Sequence, residues 1–336
     1  MKRVLVTGAL GQIGTELVAS LREGLGDESV LATDLRAPAP DHPLADAGPF
    51  RQLDCTDGSA LARAVRDARA DTVFHLAALL SAVGEKRPME AWRVNLGGLM
   101  EVLEVAREEG TALFTPSSIA AFGQDTPPDP TPQDTLQRPT TMYGVTKVAG
   151  ELLCDYYHTR FGVDARGLRY PGLISHSAPP GGGTTDWAVE IFHEALDRGH
   201  YTCFLGPDTQ LDMMYMPDAV RAAIELMEAD PARLRHRNAF NVTAMQLAPA
   251  RLAEALAARI PRFAIDYEVD PVRQAIADSW PRRLDDSAAR GEWGWEPRWT
   301  LDAMVDDMLT ELRAARTAAP AGEGASAVTL PPDSRG

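Results

Sequence analysis

The chain runs to 336 residues, 45% of them hydrophobic and 24% charged, with a formal net charge of −15. That balance suits one large α/β unit or about two domains with a buried core, and it excludes disorder over most of the length. The acidic excess, with no run of Lys or Arg, argues against a nucleic-acid partner, and no stretch of ~18 apolar residues offers a membrane span.

Met1-Lys2-Arg3 leads into Val4-Leu5-Val6, an apolar run too short for a secretory leader and suited to a first strand. Cys55, Cys154 and Cys203 are odd in number and widely scattered, which predicts free thiols and a cytoplasmic setting. Short apolar runs then alternate with helical periodicity. Strands are predicted over 4–7, 29–33, 71–77, 112–116 and 165–170, and helices over 14–23, 60–68, 89–109 and 143–161. Near-continuous apolar strands between helices predict an α/β fold with a parallel sheet covered on both faces. Irregular Pro- and Gly-rich segments at 37–49, 124–139 and 177–183 fall on the strand-end side, where open α/β sheets build their crevices.

After Pro171 the alternation loosens. Helices are predicted over 186–198, 217–229, 252–258 and 302–315, with a strand over 238–242. In a Trp-rich stretch that also holds Trp280, residues Trp293, Trp295 and Trp299 are expected to pack a smaller lobe. Residues 1–172 and 210–246 are therefore assigned to a cofactor-binding domain of Rossmann type, doubly wound. Residues 173–209 and 247–315 are assigned to a C-terminal substrate-binding lobe, and 316–336, small, polar and Pro/Gly-rich, to a disordered tail.

Two motifs carry chemistry. Gly8, Gly11 and Gly14 stand between the first strand and the first helix. Glycine there permits a tight turn and close approach of a dinucleotide pyrophosphate to the backbone, with the helix N-terminus facing it. Asp34 ends the next strand 20 residues after Gly14. A carboxylate there accepts from ribose hydroxyls and repels a 2′-phosphate, so NAD is expected, although Arg36 leaves NADP open. The second motif is Tyr143-Gly144-Val145-Thr146-Lys147, in which phenol and ammonium share one helix face. A phenol ionises near pH 10, and serving as a base near neutral pH takes positive charge beside it. Lysine occurs only at positions 2, 86 and 147, arginine carrying nearly all the positive charge, so Lys147 calls for a reason. Ser117 and Ser118 lie upstream at a strand end.

The glycine turn, Asp34, His75-Leu76-Ala77-Ala78, Asn95, the serine pair and the Tyr-x-x-x-Lys motif together resemble the extended short-chain dehydrogenase/reductase superfamily. Narrower segments at 80–85, 138–143, 168–175, 180–186, 212–216 and 273–281 resemble the short-chain-type L-threonine 3-dehydrogenases, and the likeness extends to about residue 312. The resemblance implies NAD as cofactor and L-threonine as substrate, oxidised at its 3-hydroxyl to 2-amino-3-oxobutanoate without a metal. Superfamily spacing, with the Ser 25 residues before the Tyr, selects Ser118 over Ser117. It makes Ser118, Tyr143 and Lys147 the catalytic set. Gln12, Ile13, Asp54, Leu76, Ala77, Ala78, Asn95 and Tyr170 join the glycines, Asp34, Tyr143 and Lys147 around the cofactor. Ser81, Thr184, Thr185 and Asp186 join Ser118 and Tyr143 around the substrate. Asp186 serves either as an ammonium partner, as an organiser of its loop, or simply as a helix cap. A nucleotide-sugar 4-epimerase or a non-catalytic NAD sensor are the alternatives within the same fold.

Other residues read as structural. His75 is taken as a core or cofactor-lining group, and His193, His200 and the cysteines lack metal spacing. Met213, Met214 and Met216 are expected to fill core, and Asp285-Asp286 and Asp306-Asp307 to face solvent. The helices over 89–109 and 143–161 carry apolar positions for a homodimer interface, unless the chain's own sheet covers them.

Overall fold

Six short strands form the central sheet of the computed structural model, which describes residues 1–177 and 183–318. Their order is Phe50–Gln52, Val30–Asp34, Val4–Thr7, Thr72–His75, Ala112–Phe114 and Ala165–Arg166, and every pairing is parallel. Val4–Thr7 and Thr72–His75 are buried at every residue, which is why they read as unbroken apolar runs. This is a Rossmann-like doubly wound sheet, whose order reverses beside Val4–Thr7.

Each face has its own core. On one face the helices Gln12–Leu25 and Met216–Glu228 cover Val4, Val6, Phe74 and Phe114. On the other, Gly58–Ala68, Gly98–Glu109 and Met142–Phe161 cover Leu5, Val73 and Leu113. A third core joins Trp187–Asp197, Pro249–Ala257 and Leu301–Ala318 beside the sheet.

Several expectations are corrected. The strand over 165–170 is two strands in different sheets, broken at Gly167, where a Cβ would lie 2.5 Å from Thr115 O. The neighbouring strand breaks in the same way, into Ala112–Phe114 and Ser117–Ser118. Leu168–Tyr170 pairs with Ser117–Ser118 on one side and Phe240–Asn241 on the other, so the sheet steps outward at this point. The helix over 89–109 starts at Pro88–Ala91 and widens through a π-turn at Trp92–Gly97 before Gly98–Glu109. Asn95 explains the widening: its side-chain amide donates to Leu79 O at 3.0 Å and accepts from Leu79 N at 2.7 Å. The strand over 71–77 ends at His75, and a short helix, Ser81–Lys86, follows unannounced.

Trp280 and Trp299 do pack the lateral core, but Trp293 and Trp295 pack beneath the main sheet with Phe240. Asp286 is buried against Arg290, and Asp307 accepts from Tyr215 Oη at 2.7 Å, so neither simply faces solvent. Met213, Met214 and Met216 are fully buried, and all three cysteines are buried free thiols. The last helix continues to Ala318, into the span assigned to a tail; the rest of that span lies outside the described residues, as do 178–182 of the glycine-rich segment. Among the described residues no helix is long and apolar enough to cross a membrane.

Candidate active site

The first strand and first helix meet so closely that two of the glycines are obligatory. Gly8 has φ +69°, and a Cβ on it would lie 2.6 Å from Ala77 N; a Cβ on Gly14 would lie 2.2 Å from Gly8 O. Ala77 is therefore the residue on which the glycine turn rests. The helix Gln12–Leu25 has no capping side chain, which leaves its first N–H groups for a ligand. Asp34 closes the second strand, accepting from Leu10 N at 3.1 Å and Arg36 N at 3.2 Å. Arg36 stays 3.9 Å from that carboxylate with 77% of its side chain exposed.

The glycine turn and the start of the first helix wall one end of a cavity of about 270 Å³. Of the residues singled out in the sequence, Gly8, Gly11, Gln12, Ile13, Gly14, Leu76, Ala78, Ser81, Ser118, Tyr143, Lys147, Tyr170, Thr184, Thr185 and Asp186 line it together. Asp34, Asp54, Ala77 and Asn95 do not. Asp54 accepts from Thr56 N at 2.9 Å and Thr56 Oγ1 at 2.8 Å, bonds that hold its carboxyl below the usual range. Asn95 ties the π-turn to Leu79 and, at 3.2 Å, to Thr146 Oγ1. Leu80, Leu173 and Trp280 line the cavity without having been anticipated there. Trp280 was legible as part of the segment 273–281 that carries the resemblance, but not as a residue of the cavity.

At the other end stand the reactive side chains. Thr141 caps the helix Met142–Phe161, its Oγ1 accepting from Gly144 N at 3.1 Å, which puts Tyr143 in the first turn. A Cβ on Gly144 would lie 2.2 Å from Ala120 O, so glycine lets this turn close onto the Ser118–Ala121 segment. Ser117 and Ser118 both line the cavity, but Ser117 Oγ is engaged in a buried bond to Glu151, whereas Ser118 Oγ accepts from Ala120 N at 3.2 Å and keeps its own proton to donate. Lys147 Nζ donates to Pro116 O at 2.6 Å and lies 5.3 Å from the centre of the Tyr143 ring. His75 stands behind it, bonded to Thr7 Oγ1 at 2.8 Å; burial, then the Lys147 charge, pushes it down to about 3 and keeps it neutral. It is no base here. Tyr170 lines the cavity with its hydroxyl donated to Ala219 O at 2.6 Å.

Thr184 is buried, and Asp186 accepts from Gly183 N at 2.8 Å. Asp186 begins the helix Trp187–Asp197 but makes no side-chain cap, so the simple capping role fails. Its bond to Gly183 N ties it to the residue three before it. Ser175, at the base of that loop, donates to Glu16 of the first helix at 2.5 Å. Among the described residues no group of three or more His, Cys, Asp or Glu could hold a metal ion.

A bare-backbone cradle, free helix N–H groups and a strand-end carboxylate suit a dinucleotide, with a phenol, a hydroxyl and an ammonium beyond it. The sequence profile of the NAD dependent epimerase/dehydratase family matches residues 4–243. An uncharacterized epimerase/dehydratase of Staphylococcus aureus is 56% identical over 309 residues, 92% of this chain and 96% of its own. The L-threonine dehydrogenase of Clostridium difficile superposes with a TM-score of 0.92 at 53% identity, over 94% of this chain and 98% of that one. A monomeric L-threonine 3-dehydrogenase from a metagenome superposes with a TM-score of 0.88 at 45% identity, over 93% and 99%.

Proposed function

The chain belongs to the NAD-dependent epimerase/dehydratase family, and from that premise we propose that it oxidises the 3-hydroxyl of L-threonine to 2-amino-3-oxobutanoate. One observation carries the reading: Ser118, Tyr143 and Lys147 share a single cavity with the glycine turn. A hydroxyl held between them is therefore within reach of a cofactor bound at that turn.

Tyr143 takes the proton of the substrate hydroxyl. Ser118 donates a hydrogen bond to the same oxygen and aligns it. Lys147, held by Pro116 O and set against the phenol ring, stabilises the phenolate and is assigned to the nicotinamide ribose. Bound NAD supplies the remaining chemistry, acceptance of the hydride that leaves C3. Asp34 is assigned to the adenosine ribose; Asn95 acts from outside the cavity at the other end, through Leu79 and Thr146 beside Lys147.

L-Threonine is a small zwitterion, and its pocket needs donors for a carboxylate and an acceptor for an ammonium. We assign Ser81 and Thr184 to the carboxylate, with Thr185 beside them. Asp186 orders the loop through Gly183 N and offers its negative charge to the ammonium. The 40% or higher identity to several threonine dehydrogenases over nearly the whole chain supports this substrate over a nucleotide sugar.

An NADH-absorbance screen over amino acids, hydroxy acids and UDP-sugars tests the reading. NADH from L-threonine is expected. Turnover of a UDP-sugar with none from L-threonine puts the 4-epimerase in its place. A role for Thr184 in substrate binding predicts that Thr184→Ala raises the KM for L-threonine more than it weakens NAD.

A further inference from the structure

The reactive side chains stand on two separate elements, Ser118 on a two-residue strand and Tyr143 with Lys147 on the helix Met142–Phe161. One buried carboxylate joins them. Glu151, one turn beyond Lys147, accepts from Ser117 Oγ, next to Ser118, and from Gln137 Nε2 at 2.8 Å. Arg169 completes the arrangement, donating to the same carboxylate from Nε at 3.0 Å and Nη2 at 2.8 Å. Ser117 and Arg169 are register partners in adjacent strands, and Ser118 and Tyr170 pair at the next position. The arginine also donates to Gln133 O at 2.7 Å and Asn241 Oδ1 at 3.2 Å, so its fork is fixed. Both side chains are dry, 8% and 6% exposed.

A buried ion pair gains little stability over apolar residues of the same volume. Its place directly behind the reactive residues points to another use. We propose that Glu151 and Arg169 are the positioning pair of this site: they set Ser118 against Tyr143 and Lys147, and they do so without leaving a net charge behind the phenol. The proposal rests on the reading of Tyr143 as the base. Eight helical residues span about 12 Å. A single unbalanced charge at that distance, in surroundings of effective dielectric ~20, moves an ionisation by about one pH unit. The other charges around Tyr143 are Lys147 on its own helix, Glu85 bonded to Met142 N, Arg93 turned to Thr56 Oγ1, and Asp186 across the cavity. Asp155, four residues beyond Glu151, faces the pair itself: burial and then Glu151 push its carboxyl up while Asn238 and Arg169 pull it down, so each variant is also titrated with Asp155→Asn.

The test is a titration of Tyr143 in the NAD-loaded full chain, read as ultraviolet phenolate absorbance against a Tyr143→Phe control. The control subtracts the other six tyrosines, of which Tyr156 is exposed and Tyr170, Tyr201 and Tyr215 are pushed above the ordinary phenol range by burial. Glu151→Gln leaves Arg169 unbalanced and is expected to move the midpoint down by about one pH unit; Arg169→Gln is expected to move it up by about as much. The double variant carries no unbalanced charge and returns the midpoint to the wild-type position. Its kcat with L-threonine is expected to fall at least ~10-fold while the KM for NAD stays within about twofold, since positioning is lost and cofactor contacts are not. Single variants that shift together or not at all, or a double variant with wild-type kcat, overturn the proposal. Where a single variant fails to fold, the double variant decides alone. A wild-type protein that gives no NADH from L-threonine overturns the functional reading, while the titration still decides the pair.

Discussion

Tyr143 and Lys147 meet ring to ammonium at 5.3 Å, and the imidazole of His75 nearby is pushed down to about 3 by burial, too weakly basic to take a hydroxyl proton. Tyr143→Phe deletes one oxygen and preserves the ring. Hydride transfer should fall at least ~10²-fold while NAD binding, followed by fluorescence, survives. Near-wild-type turnover would remove Tyr143 from the mechanism. Asp212 makes a different kind of claim. It is fully buried, accepts from Thr243 Oγ1 at 2.6 Å and Leu284 N at 2.8 Å, and burial pushes it up to about 7. Its folded value lies above the ordinary 3.8, so the folded chain holds the proton more tightly and stability is lost as pH rises from about 4 through about 7. Thermal melts between about pH 5 and about pH 8 should show a drop in Tm that Asp212→Asn flattens. Equal slopes in both proteins would contradict the assignment.

The helix Met142–Phe161 does its work through the closeness of its first turn to the Ser118 segment. Gly144→Ala puts a methyl 2.2 Å from Ala120 O, and only separation of the two elements relieves it. A displacement of about 1 Å should lower kcat ~10²-fold with NAD affinity retained. The opposite pattern, NAD affinity lost and kcat kept, would show that the contact serves the cofactor instead. This element, like the glycine turn and the buried parallel strands, was legible in the sequence because its cause is local: apolar residues at helical spacing and a four-residue Tyr–Lys motif; its capping Thr141 emerged only in the structure. The π-turn was not legible, because Asn95 widens it through bonds to Leu79, sixteen residues away. The break at Gly167 was hidden for the same reason, being forced by Thr115 on a neighbouring strand. On the cavity wall the glycines of the turn, Tyr143 and Lys147 follow from motif spacing, Ser81, Tyr170, Thr184 and Thr185 only from the family resemblance, and Leu80, Leu173 and Trp280 from neither. The bond from Asp186 back to Gly183 follows from neither as well, because an Asp before a helix looks the same whether it caps the helix or its own loop.

Over the whole molecule, the sheet leaves one helical face uncovered. Met89, Trp92, Leu152, Tyr156 and Phe161 stand exposed there, Met89 at 76% and Leu152 at 63%. We propose that these side chains, carried by Pro88–Ala91, the π-turn Trp92–Gly97 and the helix Met142–Phe161, pair with a second copy. One similar structure is of a monomeric protein, so the fold alone does not decide the assembly. Light scattering at micromolar concentration should give twice the 36.4 kDa of one chain, and Leu152→Glu with Tyr156→Glu should halve it. A monomeric wild type would refute the dimer. The central claim is a direct hydride transfer from C3 of L-threonine, and isotope labelling tests it most directly. L-Threonine carrying deuterium at C3, mixed with the protein and NAD, should yield NADH with that deuterium on the nicotinamide ring; unlabelled NADH, or none, would contradict the account.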